Sequence, residues 1–234
     1  PSTDTGWKGD NDMPIPTPLA ARAALLALLV MPLAAHAGVN TKAETFQPGA
    51  EGAIVIDAAA YDSLQAAIDA LPGGGGLLKL PAGRIESSEP LVLTRGDTMI
   101  QGCGPATHLV NRNEAGEPAL LICPPEGAKS IWRVQVCDLR ITGNPKSGAG
   151  LVAKSVDELL LSRVASEHNG GDGILLDHCY EDPRISTCLM NYNAQTGLNL
   201  LGCHDIVVSA NQFEENQDAL RCIKGYNLSL IHIS

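Results

Sequence analysis

Apolar and polar positions in the second half of the chain fall into columns when Asn144, Asn169, Asn193 and Asn216 are superimposed, at spacings of 25, 24 and 23 residues. Eight positions before each Asn stand Val136, Leu161, Ile185 and Val208, and three before stand Ile141, Ser166, Met190 and Phe213. Both columns are mostly apolar and predict core ladders, with Met190 and Phe213 among their members. Two before each Asn, the residues Thr142, Glu167, Asn191 and Glu214 are polar throughout. Alternation along a strand turns that column outward. A period of roughly 20 to 50 residues signals a solenoid, and one near 23 with β-rich units fits one turn of a parallel β-helix. The expected fold class is therefore all-β, a β-helix of stacked coils.

The Asn column has a physical reason. Equivalent residues in stacked coils lie about 4.8 Å apart, so each Asn amide can donate to the carbonyl of the next and line a tight turn that tolerates left-handed backbone. Asn144, Asn169, Asn193 and Asn216 are thus expected to form a structural ladder. Cys179 and Cys203 each lie six residues after a Gly, Gly173 and Gly197, and should stack as buried small hydrophobes rather than as a disulfide. No pair among the seven Cys has C-x₂-C zinc spacing.

Ahead of the coils, Tyr61, Leu64, Ile68 and Leu71 recur at steps of 3, 4 and 3, which predicts a helix over 61–71, capped by Asp57 or Asp62 and stopped at Pro72-Gly73. Laid across the solenoid end, it would cover unpaired strand edges. Short strands are expected around 77–80, 90–93 and 98–101. Gly73 to Gly76 is read as a connection, since no Gly-Lys-Ser/Thr follows it.

The two ends read differently from the middle. Arg22, an apolar run over 23–33 and Ala35-His36-Ala37 give the order of a secretory signal peptide over 13–37. That run is too short to span a bilayer comfortably, and no later segment is a transmembrane candidate. Residues 1–12 read as upstream sequence translated in frame. Residues 228–234 resemble a translated sequencing adapter, in which case the natural chain continues beyond Asn227. The expected domain is a single β-helix over 38–227, with clear coils over 131–227, secreted, periplasmic or at the cell surface, and monomeric.

Composition agrees with a β-solenoid: 24 Gly, 15 Pro and 3% aromatic residues. A net charge of -10 excludes a nucleic-acid partner, which needs a basic surface. It would also repel a polyanionic glycan unless Ca²⁺ bridged the carboxylates, whereas a neutral glycan is not repelled.

The segment Tyr61 to Leu71, the glycines 73–76, Leu77-Leu78-Lys79-Leu80-Pro81-Ala82-Gly83 and the Gly102-Cys103-Gly104-Pro105 turn, followed by the Asn-bearing coils, resemble pectate-lyase-superfamily proteins over about residues 50–227. The resemblance implies a right-handed parallel β-helix with a polysaccharide as partner. It does not fix an activity, because the superfamily holds pectate and pectin lyases, polygalacturonases, rhamnogalacturonases, alginate epimerases and phage tailspikes. Of the polygalacturonase pattern only an Arg-x-x-Lys, Arg221 to Lys224, comes near. A lyase of this superfamily would use Arg or Lys as base beside a Ca²⁺-polarised carboxylate, and Arg163, Arg184 and Arg221 are the arginines on offer.

The best constellation lies beside the Asn column. Glu167 and Glu214 share the outward position two coils apart, about 9.6 Å at twice the strand spacing. That is close to the roughly 6.5–9.5 Å between the carboxyls of inverting glycosidases, which makes them candidate acid and base. His168, Tyr192 and Glu215 line the next column as candidate sugar-binding residues. The plainer reading makes all five solvated turn residues. Asp172 and Asp218 flank the turns, while Asp177, Glu181 and Asp182 cluster near His178. No metal is assigned there, and Ca²⁺ is the only candidate cofactor. Two functions remain: a carbohydrate-active enzyme of lyase, hydrolase or epimerase type, and a noncatalytic β-helix module that binds or displays carbohydrate.

Overall fold

The computed structural model describes residues 54–233, so the leader read over 13–37 and residues 1–12 lie outside the described part. Parallel strands stack into sheets of 11, 6 and 2 strands among the described residues. In each coil a long strand bends once and feeds the Asn turn. The chain then crosses to a second strand on the opposite side. The bent strands are Val134–Thr142, Leu160–Glu167, the pair Arg184–Ser186 and Leu189–Asn191, and Val207–Glu214. Their opposite members are Leu151–Lys154, Ile174–Asp177, Thr196–Leu201 and Asp218–Ile223.

Register follows the apolar columns. Val136, Leu161, Ile185 and Val208 are direct partners, and the column runs on to Ile100 and Leu78. All six are buried. Ile141, Ser166, Met190 and Phe213 form the second column, which Leu109 and Ile85 extend. Ser166 is the polar exception. Its hydroxyl donates to the Gly173 carbonyl at 2.7 Å and accepts from Asn169 at 3.0 Å, so a buried polar group closes the turn.

The corners are single residues in left-handed conformation, repeated coil by coil. The bend in each long strand falls at Asp138, Arg163, Thr187 and Ala210, with φ between 52° and 58°. The turn before the Asn uses His168, Tyr192 and Glu215, and the far corner uses Ser155, His178, Gly202 and Lys224. One such residue redirects the chain while its neighbours keep their ladder bonds.

Behind the second turn, Asn169 Nδ2 donates to Asn193 Oδ1 at 2.8 Å and Asn193 Nδ2 to Asn216 Oδ1 at 2.9 Å. The same oxygens accept the backbone N–H of Asn169 and Asn193. Asn144 departs from this pattern and donates to the carbonyls of Asn111 and Asn113. Its own turn instead offers Ser147, whose hydroxyl accepts from Gly170 N–H. Cys179 and Cys203 are buried and unpaired, with Cys179 N–H donating to Cys203 Sγ.

Four details differ from the sequence expectation. The helix is shorter, Leu64–Asp69, and its cap is Ser63, whose hydroxyl accepts from Ala66 N–H at 3.1 Å; Asp57 instead caps a 3₁₀ turn over Ala58–Ala60. Thr142 and Asn191 are buried although their column faces outward, because the neighbouring coils close over short side chains that cannot reach solvent. Phe213 is only partly buried. Residues 229–233, within the presumed adapter tail, form a strand paired with Val207–Glu214; a short apolar run adds to an open parallel edge whatever its origin.

These differences set two stability expectations. Met190→Ala should cost about 2–5 kcal/mol, and Phe213→Ala less than its full-burial value. Urea midpoints at unchanged slope would show this, and a Met190→Ala loss below about 1 kcal/mol would contradict the register. Asn193→Ala should cost about 1–3 kcal/mol by leaving the buried Asn169 backbone N–H without its acceptor, whereas Asn144→Ala, outside the ladder, should cost less in the same assay.

Candidate functional site

Beyond the bend, the long strands present two outward columns. Arg84, His108, Arg140, Ala165, Leu189 and Gln212 are register partners in one. Glu86, Val110, Thr142, Glu167, Asn191 and Glu214 are partners in the other. Each step along a column is about 4.8 Å.

A groove of about 490 Å³ lies against the bend, lined by Gly104, Pro105, Leu139, Val164, Ala165, Thr187 and Leu189 together with two ion pairs. The Gly102-Cys103-Gly104-Pro105 turn can come this close because a Cβ on Gly102 would collide with the Asp138 carbonyl. Arg163 grips Asp138 of the preceding coil with two parallel bonds, 2.6 and 2.8 Å. This hydrogen bonding holds the Asp138 carboxyl below its ordinary value. Alongside, Arg140 Nε donates to Glu167 Oε2 at 2.7 Å. The groove therefore combines apolar surface, two guanidinium groups and two carboxylates.

The sequence-derived candidates divide into two groups. Glu167 lines the groove, bound to Arg140, while Glu214 is exposed and accepts from the Tyr192 hydroxyl at 3.0 Å. That bond lifts the Tyr192 phenol above its usual range. Buried Asn191 separates the two carboxylates in their column. The Tyr192 ring stacks on His168, with centroids 5.0 Å apart and planes 6° from parallel. Glu215 stands exposed in the same corner column.

The remaining candidates are scattered. Arg184 sits at the start of the bent strand, and Arg221 lies on the opposite side, where it pairs with Asp218. Asp172 is buried and accepts from Thr196 N–H and Asn199 Nδ2, so it staples a turn. Asp177 takes the His178 ring at 2.6 Å. Among the described residues, no three His, Cys, Asp or Glu side chains converge on a metal position.

Sequence reasoning missed the Asp138–Arg163 and Arg140–Glu167 pairs, although a signal existed. Asp138, Arg163, Thr187 and Ala210 all lie six before an Asn, so opposite charges in successive coils were already in one column. It also missed an aromatic stack at the far corner, where the His204 ring lies between Tyr180 and Tyr226 at 4.1 and 4.5 Å.

Comparison with known proteins agrees with this geometry. The model of the right-handed β-helix region matches residues 127–232. In fold the chain is a right-handed parallel β-helix. Among solved structures it resembles ORF18 of Geobacillus virus E2, with a TM-score of 0.68 at 14% identity, over 74% of this chain and 40% of that one. It also resembles a putative glycosyl hydrolase from Parabacteroides merdae, with a TM-score of 0.63 at 12% identity, over 77% of this chain and 97% of that one. A third is the A-module of the Azotobacter vinelandii mannuronan C-5 epimerase AlgE6, with a TM-score of 0.57 at 17% identity, over 76% of this chain and 57% of that one. The chain thus spans less than two thirds of the first and third of these. No curated protein matches it by sequence.

Asp138 provides a check on the groove. The lowered folded value means that its pairing stabilises the fold above about pH 3.8 and that this contribution is lost as pH falls through the lower value. Arg163→Gln should return the Asp138 titration, followed by carboxyl ¹³C shifts, toward 3.8. An unchanged midpoint would show that the pair does not form in solution.

Proposed function

We propose that this protein is an exported, carbohydrate-active β-helix that lays a polysaccharide along the outer face of its bent strands. The observation that carries the reading is the groove at the bend, where apolar Leu189 and Pro105 lie beside two guanidinium–carboxylate pairs. Sugars present apolar C–H faces and hydroxyls together, and a surface that alternates apolar and charged groups suits both. The AlgE6 epimerase module and the Parabacteroides glycosyl hydrolase lend support as proteins of the same fold whose names place them in carbohydrate chemistry. The leader read over 13–37 supports export.

On this reading Glu214, Tyr192 and His168 extend the groove by recognising sugar hydroxyls, with Glu215 at their rim. Glu167 serves with Arg140 as one unit. A second reading, a noncatalytic module that binds or displays glycan, has a specific observation in its favour. Glu167 is tied to Arg140, and Asn191 stands between it and Glu214, so the two carboxylates do not face one another across an open gap.

The test is to incubate the chain with a panel of neutral and acidic polysaccharides. New reducing ends, unsaturated products and inverted sugar centres separate hydrolase, lyase and epimerase, while retention on immobilised glycan reports binding alone. Leu189→Asp should abolish retention by placing a charge in the groove. Glu214→Gln should weaken it roughly threefold to tenfold, as expected when a hydrogen bond to a charged group becomes one to a neutral amide. If no polysaccharide is retained or altered by the wild-type chain, the reading falls.

A further inference from the structure

The outward column continues beyond the groove toward the N-terminal coils, where Arg84, His108 and Arg140 occupy three adjacent strands in direct register. Arg84 and Arg140 are thus about 9.6 Å apart at the backbone, with the imidazole between them. His108 is partly buried, and its Nε2 is engaged by the Thr142 hydroxyl at 2.7 Å.

The guanidinium groups are only half used. Arg84 and Arg140 give their Nε to Glu86 and Glu167 respectively, and among the described residues their terminal nitrogens have no acceptor. Arg112 adds a third cation and bonds Glu86 through two nitrogens at 3.0 Å. Three guanidinium groups face two carboxylates here, which leaves one positive charge in excess on a chain whose net charge is -10. Such a local surplus, with unused guanidinium donors on either side of an imidazole, is the chemistry that receives an oxyanion.

We propose that Arg84, His108 and Arg140 form a subsite for an oxyanion carried on a glycan, a carboxylate or a sulfate ester, and that its occupancy strengthens when His108 takes up a proton. The proposal rests on the reading of this face as the glycan-contacting one and names the substrate class at one end of it. Burial, and then the charges of Arg140 and Arg84, hold His108 below its ordinary value of 6.5, with Glu167 and Glu86 opposing them. The free imidazole is therefore neutral at neutral pH. A bound oxyanion favours the charged form, so by linkage the anion binds more tightly as pH falls through the His108 titration. If the anion raises that pKa by about one unit, the gain is up to about tenfold.

The experiment is a calorimetric titration of the full chain between about pH 7.5 and 5 with three probes: a galacturonate trimer, a sulfated disaccharide and neutral cellotriose. Binding of one or both anionic probes should tighten severalfold toward low pH, and the probe that binds identifies the oxyanion. His108→Gln, which keeps a hydrogen-bonding group beside Thr142, should flatten the pH dependence, so that binding of the anionic probes changes by less than about twofold between pH 7.5 and 5. Arg84→Gln, at an exposed position, should weaken the anionic probes at every pH and leave cellotriose unchanged. The proposal is overturned if neither anionic probe binds, if cellotriose follows the same pH profile, or if His108→Gln retains the slope. Cellotriose or polymer binding that survives while both anionic probes fail would sink this subsite alone. Loss of all glycan binding would sink the functional reading of the face with it.

Discussion

Each coil must turn its corners within single residues while the parallel ladder stays in register, and the other features of the molecule depend on that constraint. A left-handed residue reverses the local course of the chain without consuming ladder positions. For a residue with a Cβ it costs of order 1 kcal/mol or more. Asp138, Arg163, Thr187 and Ala210 accept that cost at one corner, and His168, Tyr192 and Glu215 at another. None of these is glycine. The strain is tolerated because the strands on either side are hydrogen-bonded to both neighbouring coils, and because the Asn169–Asn193–Asn216 amide ladder satisfies the donors that the second turn exposes.

This constraint also determines how a site can be built. A side chain on the outer face has one neighbour above and one below, in the same column, so chemistry is assembled one residue per coil. The groove follows this rule: Asp138 meets Arg163 within the corner column, while Arg140 and Glu167 meet diagonally between adjacent outward columns. The stacked His168 and Tyr192 rings are the aromatic counterpart. Because the backbone beneath is fixed by the buried Val136, Leu161, Ile185 and Val208 ladder, these contacts are positioned by spacing rather than by loops.

Much of the fold was legible because it depends on that periodicity. The Asn column alone placed three further columns in the register that the strands adopt, and it marked the amide ladder from Asn169 onward. Less legible were the features in which a neighbour in space overrides the pattern. Gly83–Ser87 is a strand although its sequence is Gly-Arg-Ile-Glu-Ser, because Thr107–Asn111 beside it supplies the ladder. Thr142 and Asn191 sit on an outward column yet are covered, since short polar side chains cannot reach past the neighbouring coils. Asn144 has the right residue type, but the coil before it is longer and presents the carbonyls of Asn111 and Asn113 instead of an amide. The candidate site was harder still. Columns were read for hydrophobicity, so the opposite charges of Asp138 and Arg163 within one column were passed over, and the diagonal pairing of Arg140 with Glu167 becomes visible only once their columns are known to be neighbours.

Charge is where local and global descriptions part. The net charge of -10 suggests a chain that repels polyanions, yet this sum extends over the whole length of the solenoid. Salt at physiological strength screens exposed charges beyond about 8 Å, a distance of less than two coil spacings. A ligand group on the outer face therefore responds to the side chains of its own coil and the next, and around His108 the guanidinium groups of Arg84, Arg112 and Arg140 outnumber the carboxylates of Glu86 and Glu167. The exposed pairs there contribute little to stability, roughly 0–1 kcal/mol each, so their guanidinium groups can turn to an incoming anion at small cost to the fold. A solenoid can in this way be acidic as a whole and still present a cationic position one or two coils wide, set by which residue each coil places in a single column.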